Sequence, residues 1–110
     1  MVEIYLRRDY DPNIIFKNDF EVNIADYQKV AEVNAADLAA AWHLTQNDNK
    51  DWTTKDGVKV VGKKESYRSS SIGDVFSIDG QLQIIMPLGY ELLNWGDKVS
   101  FYANFMSSND

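Results

Sequence analysis

Alternating apolar and polar positions near both ends of the chain predict β-strands with one buried face. In residues 2–7 the apolar positions are Val2, Ile4 and Leu6. Residues 98–105 have the same period, with apolar side chains at Val99, Phe101, Ala103 and Phe105. Residues 27–33 are rich in valine and tyrosine, which favours a further strand. An apolar insert at 14–16 lies between turn-forming residues, and we expect it to pack under the core.

The pair Asp79-Gly80 predicts a β-hairpin. It lies between the apolar segments 74–78 and 81–86, and Asp-Gly is a preferred sequence of the type I′ hairpin turn. Pro87 cannot donate a backbone hydrogen bond, so the second strand should end there or lie at a sheet edge. Residues 58–61 form a short apolar run after the turn Asp56-Gly57 and predict another strand. The polar residues 62–71 that follow predict an exposed loop.

Residues 35–47 have the sequence of an amphipathic helix. Residues 35, 38, 39 and 42 follow the i, i+3, i+4, i+7 rule, which gives an apolar face centred on Leu38 and Trp42. We expect Asn34 to cap the helix by accepting a backbone hydrogen bond, and Asp37 to place negative charge near the positive end of the dipole. The Asn- and Asp-rich run 46–51 predicts that the helix ends near Asn47.

The order of these elements predicts an α+β fold, with a small antiparallel sheet or open barrel and one main helix. A chain of 110 residues can close one hydrophobic core but has too little interior for two, so we expect a single domain over residues 1–110. Residues 106–110 should fray. The residues expected to share the core are Leu38, Trp42, Val75 or Phe76, Leu82, Ile84, Phe101 and Phe105.

Composition and charge narrow the range of functions. The chain has no cysteine, which excludes disulfides, cysteine-ligated metals and a thiol nucleophile. It shows no signal-peptide pattern and no apolar run near the roughly 20 residues of a transmembrane helix, so we expect a cytoplasmic protein without a membrane partner. The net charge is −6, and segments 1–47, 48–68 and 69–110 carry −4, +2 and −4. An acidic chain repels nucleic acid, so any such contact would use the middle segment.

Each motif that approaches a catalytic or metal site is incomplete. Residues 57–64 have P-loop spacing, but Lys64 stands where Mg²⁺ needs Ser or Thr, and no helix pattern follows. Residues 48–56 interrupt a calcium-loop pattern with Lys50 and Lys55. His43 is the single histidine, and a catalytic triad would require it beside residues 69–71. We therefore predict no cofactor, no metal site and no enzymatic activity.

The middle segment combines basic and aromatic side chains, a composition able to hold phosphates and stack bases. The same segment contains acidic residues, so a solvated hairpin is the alternative to nucleic-acid binding through residues 55–68. The serine-rich stretch that follows has two interpretations. Its hydroxyls could bind an anion together with Arg68, or they could form hydrogen bonds with the backbone of their own turn. The acidic surface offers a third possibility, imitation of DNA. The candidate binding residues are Trp52, Lys55, Lys59, Lys63, Lys64, Tyr67, Arg68, Ser69, Ser71 and Asp74.

Residues 68–75, RSSSIGDV, are followed by Asp79-Gly80 and by the sequence GYEL at 89–92. This order resembles the R-S-x-S-x-G-D-V, D-G, G-F/Y-E signature of small YodL-like proteins from bacteriophages and mobile elements. The helix and the Asn- and Trp-containing stretch before the signature are also similar, so the resemblance covers residues 27–93. It implies a setting in a phage-infected or element-bearing bacterium, and it carries over no catalytic residues. We expect a non-enzymatic accessory module that binds another protein.

Overall fold

The computed structural model describes residues 1–17 and 20–99, and within them it shows one α-helix and eight β-strands. The helix α1 spans Leu38–Leu44. The strands are β1 Val2–Arg7, β2 Phe20–Glu21, β3 Tyr27–Val33, β4 Val58–Val60, β5 Val75–Ile78, β6 Gln81–Met86, β7 Gly89–Leu93 and β8 Lys98–Val99. The predicted α+β class is confirmed. The predicted strand beyond residue 99, with Phe101 and Phe105, and the tail 106–110 lie outside the described residues.

Six strands form one sheet in the order β4-β3-β1-β5-β6-β7, and every neighbouring pair is antiparallel. Among the described strands, β4 and β7 are the two edges, so the observed arrangement is an open sheet rather than a closed barrel. The strands β2 and β8 form a separate two-stranded sheet through Phe20 opposite Val99 and Glu21 opposite Lys98. In the described residues, no helix is long and apolar enough to cross a membrane.

The central strand β1 has the predicted alternation, since Val2, Ile4 and Leu6 are buried and the residues between them are half-buried. Its pairing with β3 shifts by one residue between Ile4 and Tyr5. Because Ile4 pairs with Ala31 and Tyr5 with Lys29, Val30 is the additional residue of a β-bulge. Val30 and Ala31 are both buried, so the bulge places two consecutive apolar side chains in the interior.

The apolar interior of the described residues consists of two clusters, and the prediction that the named core residues share one core is wrong, because they are divided between the two. The helix-side cluster includes Val2, Ile4, Leu6, Val33, Trp52 and Phe76, with Leu38 and Trp42 packed against it. The turn-side cluster includes Ile15, Phe20, Val22, Tyr27, Val75 and Ile84, with Leu82 packed against it. Adjacent strand residues such as Val75 and Phe76 point to opposite faces of the sheet, so they enter different clusters. Burial of Ile15 confirms that the insert at 14–16 packs under the core.

The helix is shorter than predicted and has a different cap. Asp37 occupies the N-cap, and its carboxylate accepts the Ala40 N–H at 2.8 Å. Asn34 is not the cap, since the helix begins after Asp37; the backbone N–H of Asn34 donates to the Gly57 carbonyl at 2.7 Å, next to the pairing of β3 with β4. The buried face centres on Ala41 and Thr45, whereas Ala39, predicted to be buried, is exposed.

The hairpin prediction is confirmed. The strands β5 and β6 pair from Val75 opposite Ile84 to Ile78 opposite Gln81, and Asp79-Gly80 forms the turn. Asp79 has φ 51° and Gly80 has φ 81°, which are the positive values that a type I′ turn requires at both positions. The strand β6 ends at Met86, directly before Pro87, as predicted.

We expect Phe76→Ala to lower the free energy of unfolding by about 3–5 kcal/mol, because this ring is fully buried in the helix-side cluster and its removal leaves a cavity. Leu92→Ala is the control, since this side chain is 63% exposed, and we expect a change within about 0.5 kcal/mol. Urea denaturation followed by tryptophan fluorescence measures both. A Phe76→Ala effect as small as that of the control would contradict the described core.

Candidate functional site

The ion pair between Arg68 and Asp74 organises the serine-rich loop. The Nη1 and Nη2 atoms of Arg68 donate to the two carboxylate oxygens of Asp74 at 2.7 and 2.8 Å, which is a bidentate pair. The same carboxylate accepts the backbone N–H groups of Arg7 and Ser71, each at 2.8 Å. Asp74 is 1% exposed, so the negative charge lies inside the protein and is held by four donors. Its role in the described structure is to join the loop to β1.

The other contacts of Arg68 use the remaining hydrogens on its terminal nitrogens. Nη1 donates to the Ser69 carbonyl at 3.1 Å, and Nη2 donates to the Arg7 carbonyl at 3.2 Å. The guanidinium also lies 4.4 Å from the centre of the Tyr10 ring, and the Tyr10 hydroxyl is 3.1 Å from Ser71 Oγ. Arg68 is therefore bound within the protein, and these hydrogens of its terminal nitrogens are not free for a ligand.

The serine side chains connect the loop to the end of α1. Ser69 Oγ accepts the backbone N–H of Asn47 at 2.7 Å, and Ser70 Oγ forms a hydrogen bond with Thr45 Oγ1 inside the protein. His43 lies two residues before Thr45, about 200° around the helix from this buried face, and it is exposed. The structure therefore does not place His43 beside residues 69–71, as a catalytic triad would require.

The aromatic rings of the middle segment are part of the core. Trp52 is 0% exposed, and its indole N–H donates to the Arg68 carbonyl at 2.8 Å. Tyr67 is 8% exposed, and its hydroxyl accepts the Lys64 N–H at 3.1 Å. Because both ring faces are covered, the prediction that Trp52 or Tyr67 stacks on bases is wrong. The prediction of an exposed loop at 62–71 is correct for residues 63–66 but not for Tyr67 and Ser70, which are buried.

The lysines of the middle segment point to different places. Lys55 Nζ donates to the Gln46 carbonyl at 2.8 Å and to the Asp48 carboxylate at 3.0 Å, so it caps the carboxyl end of α1. Lys59 lies exposed on the edge strand β4, and Lys63 is exposed in the loop after it. The structure therefore does not bring all the candidate basic residues onto one face.

Lys64, Tyr67 and Arg68 do meet, in a cleft of about 280 Å³ at the end of β1, which we call the basic cleft. Arg7, Arg8 and Gln28 also line it, and none of its described lining residues is a carboxylate. Sequence reasoning missed Arg7 and Arg8. The signal was present, because two consecutive arginines directly follow the apolar alternation of the first strand.

The guanidinium of Arg7 lies on the other face of the sheet from Leu6. Its Cζ is 5.2 Å from the centre of the Phe20 ring and 5.3 Å from that of Tyr27, both in the turn-side cluster. Its Nε and Nη1 atoms are buried and have no hydrogen-bond partner among residues 1–17 and 20–99. The Tyr27 hydroxyl donates to the Gly73 carbonyl at 2.6 Å, and burial raises the pKa of Tyr27 to about 12 although Arg7 acts to lower it.

A second surface lies along the hairpin of β6 and β7. Leu88 at its turn is 83% exposed, and Leu92 on β7 is 63% exposed. Beside them is a depression of about 270 Å³, lined mainly by apolar side chains that include Trp42, Ile85 and Tyr90. We call β7, Leu88 and this depression the β7 surface. Sequence reasoning missed this surface. The available signal was that Leu88 and the pair Leu92-Leu93 closely follow Pro87, a residue that ends a strand.

Within residues 1–17 and 20–99, no group of three or more His, Asp or Glu side chains is arranged to hold a metal ion. Comparison with protein-family models, curated proteins and solved structures finds no match to this chain. The site must therefore be interpreted from its own geometry.

We expect Asp74→Ala to lower the free energy of unfolding by about 3–5 kcal/mol, because it leaves Arg68 and two backbone N–H groups without their buried acceptor. Asp48→Ala is the matched control, since it breaks an ion pair with Lys55 whose carboxylate side is exposed, and its effect should be small. Chemical denaturation of the two variants checks the difference. Equal effects would mean that the Arg68–Asp74 pair does not organise the loop.

We expect alkaline pH to destabilise the protein through Tyr27. Its pKa is raised from 10.0 to about 12 in the folded state, so the folded state retains the proton and its stabilising effect is complete below pH 10. As the pH rises from about 10 to about 12, about 2–3 kcal/mol of stability is lost. Tyr27→Phe should reduce this loss and cost about 1 kcal/mol at neutral pH through the missing hydrogen bond to Gly73. Unfolding curves at several pH values test this, and parallel pH profiles for the two proteins would contradict it.

Proposed function

We propose that this chain is a non-enzymatic accessory module that binds another protein, and that an extended segment of the partner adds to the outer edge of β7. The resemblance of residues 27–93 to YodL-like proteins supports a setting in the cytoplasm of a bacterium that carries a phage or mobile element. The edge position of β7 supports the mode of binding, because main-chain groups at a sheet edge are a template for an added strand.

The exposed apolar side chains of the β7 surface are the observation that carries this proposal. Among the described strands, β7 pairs only with β6, and Leu92 stands on this edge strand with most of its surface in water. Leu88 extends the apolar surface around the turn of the hairpin. Contiguous apolar surface beside a sheet edge is typical of protein-interaction sites, since its burial is favourable when a partner covers it.

The depression beside β7 supplies a place for a partner side chain. In the pairing of β6 with β7, Ile85 lies opposite Tyr90 and Gln83 lies opposite Leu92, so Tyr90 and Leu92 share one face of the sheet. The depression lies on this same face, next to Trp42 of α1. An added strand places every second side chain on that face, and an apolar one would enter the depression.

The serine hydroxyls considered for catalysis are already hydrogen-bonded within the protein, which supports a role other than catalysis. The hydroxyls of Ser69, Ser70 and Ser71 each take part in a hydrogen bond within the protein. His43 faces away from them. Burial of Trp52 and Tyr67 counts against the nucleic-acid alternative, because it removes the rings that would stack on bases.

We expect peptides selected from a random display library with the full chain as bait to be extended and to carry alternating apolar side chains. Bound to the protein, they should slow hydrogen exchange of backbone N–H groups on the outer edge of β7, because strand addition pairs these groups with the peptide. Amide exchange followed by NMR, with and without a selected peptide, measures this protection residue by residue.

Leu92→Asp should weaken binding of the selected peptides by about tenfold or more, because it places a charge in the apolar contact. Val61→Asp is the control, since Val61 is also exposed but follows β4 at the opposite edge of the sheet. Peptides that protect other strands, or that bind both variants equally well, would refute the β7 surface as the binding site.

A further inference from the structure

The basic cleft presents two cationic side chains that no carboxylate of the described residues neutralises. Arg8 and Lys64 are exposed, and their side chains form no hydrogen bond or ion pair with the described residues. Their backbones are nevertheless fixed. The Arg8 N–H donates to the Asp26 carbonyl at 2.9 Å, and the Lys64 N–H donates to the Tyr67 hydroxyl at 3.1 Å. Both side chains therefore start from anchored positions at the rim of one cleft.

Neutral donors accompany these cations. Gln28 and Ser66 line the cleft, and Tyr67 contributes from its inner wall. The Tyr67 hydroxyl accepts a hydrogen bond from Lys64, which leaves its own proton to donate. The hydroxyl lies close against Gly62, where an added Cβ would overlap its oxygen. The cleft thus combines cations with donors in positions set by the fold.

The charges around the cleft favour a compact anion. Asp74 neutralises Arg68, and the guanidinium of Arg7 packs between two aromatic rings on the other face of the sheet, so the cations that remain for a ligand at the cleft are Arg8 and Lys64. The local charge is therefore positive although the chain carries −6 overall. A long polyanion would extend over the acidic remainder of the surface, whereas a small anion remains within the cleft, closer to its cations than the Debye length of about 10 Å at 0.1 M salt.

We propose that the basic cleft binds a small molecule that carries a phosphate monoester, with Arg8 and Lys64 as the residues that hold the phosphate. A phosphate monoester has close to two negative charges and three acceptor oxygens, which match two cations and the nearby neutral donors. A monocarboxylate offers one charge and two oxygens, so it uses the same groups less fully. The volume of about 280 Å³ is near the lower limit of ligand sites and suits a phosphate with a short organic group.

The test is an NMR titration of the full chain at constant ionic strength with inorganic phosphate, glycerol phosphate, acetate and a short single-stranded DNA. We expect phosphate and glycerol phosphate to shift the amide signals of Arg8, Lys64 and Tyr67 in a saturable way. Acetate should bind about tenfold more weakly, because it loses one charge-assisted contact. DNA should bind no more tightly than glycerol phosphate. Binding that is absent, or tighter for DNA, would overturn the assignment.

Arg8→Gln and Lys64→Gln should each weaken phosphate binding by about tenfold, because each removes a charged donor. Lys98→Gln is the matched control, since it removes the same charge from an exposed position on β8. It should change the affinity less than about twofold, because the remaining effect is screened by salt. All three positions are exposed, and unfolding curves verify that the variants are folded. Equal losses in the three variants would show general attraction rather than a site and would overturn the proposal.

Discussion

The buried pair of Arg68 and Asp74 is the interaction on which the arrangement of the chain around β1 depends. Asp74 accepts the Arg7 N–H and Arg68 donates to the Arg7 carbonyl, so the last residue of β1 is bonded to both members of the pair. The Arg68 carbonyl then accepts the Trp52 indole N–H, and the following serines bond to the end of α1. The Asp74 carboxylate accepts hydrogen bonds from four donors in the interior. Together these bonds compensate for the desolvation of its charge, which no single neighbour could do.

The basic cleft follows from the same pair. Because Arg68 binds Asp74 inside the protein, the loop 64–68 lies over the end of β1. The side chains that remain at the rim of the cleft are Arg8 and Lys64. The pair itself contributes no net charge, because its two members cancel. The positive charge of the cleft therefore comes from Arg8 and Lys64. Hydrogen bonds hold their backbones, and their side chains form no ion pair with the described residues.

The parts of the fold that the sequence predicted are those set by local rules. Asp79-Gly80 determines a turn by its own backbone preferences, and the alternation of Val2, Ile4 and Leu6 follows from the geometry of a strand. The misplaced features depend on distant partners. Asn34 has the chemistry of a helix cap, but its backbone pairs with Gly57 beside β4 and Asp37 is the cap. Trp52, in a polar stretch, is buried in the helix-side cluster, where the Arg68 carbonyl accepts its indole N–H. The cleft joins residues 6–8 and 10, residues 28 and 30, and residues 64 and 66–68, a proximity that periodicity alone does not encode.

The basic cleft and the β7 surface lie on different parts of the sheet, and this separation bears on how they act together. The cleft adjoins β1 and β3, whereas β5 and β6 stand between β1 and β7. Three strand spacings amount to about 14 Å, which exceeds the Debye length of about 10 Å at 0.1 M salt. Charge bound in the cleft is thus largely screened at β7, and any coupling between the sites would have to pass through the packing of the sheet. Because closely packed strands resist small displacements, the two surfaces should bind their ligands nearly independently.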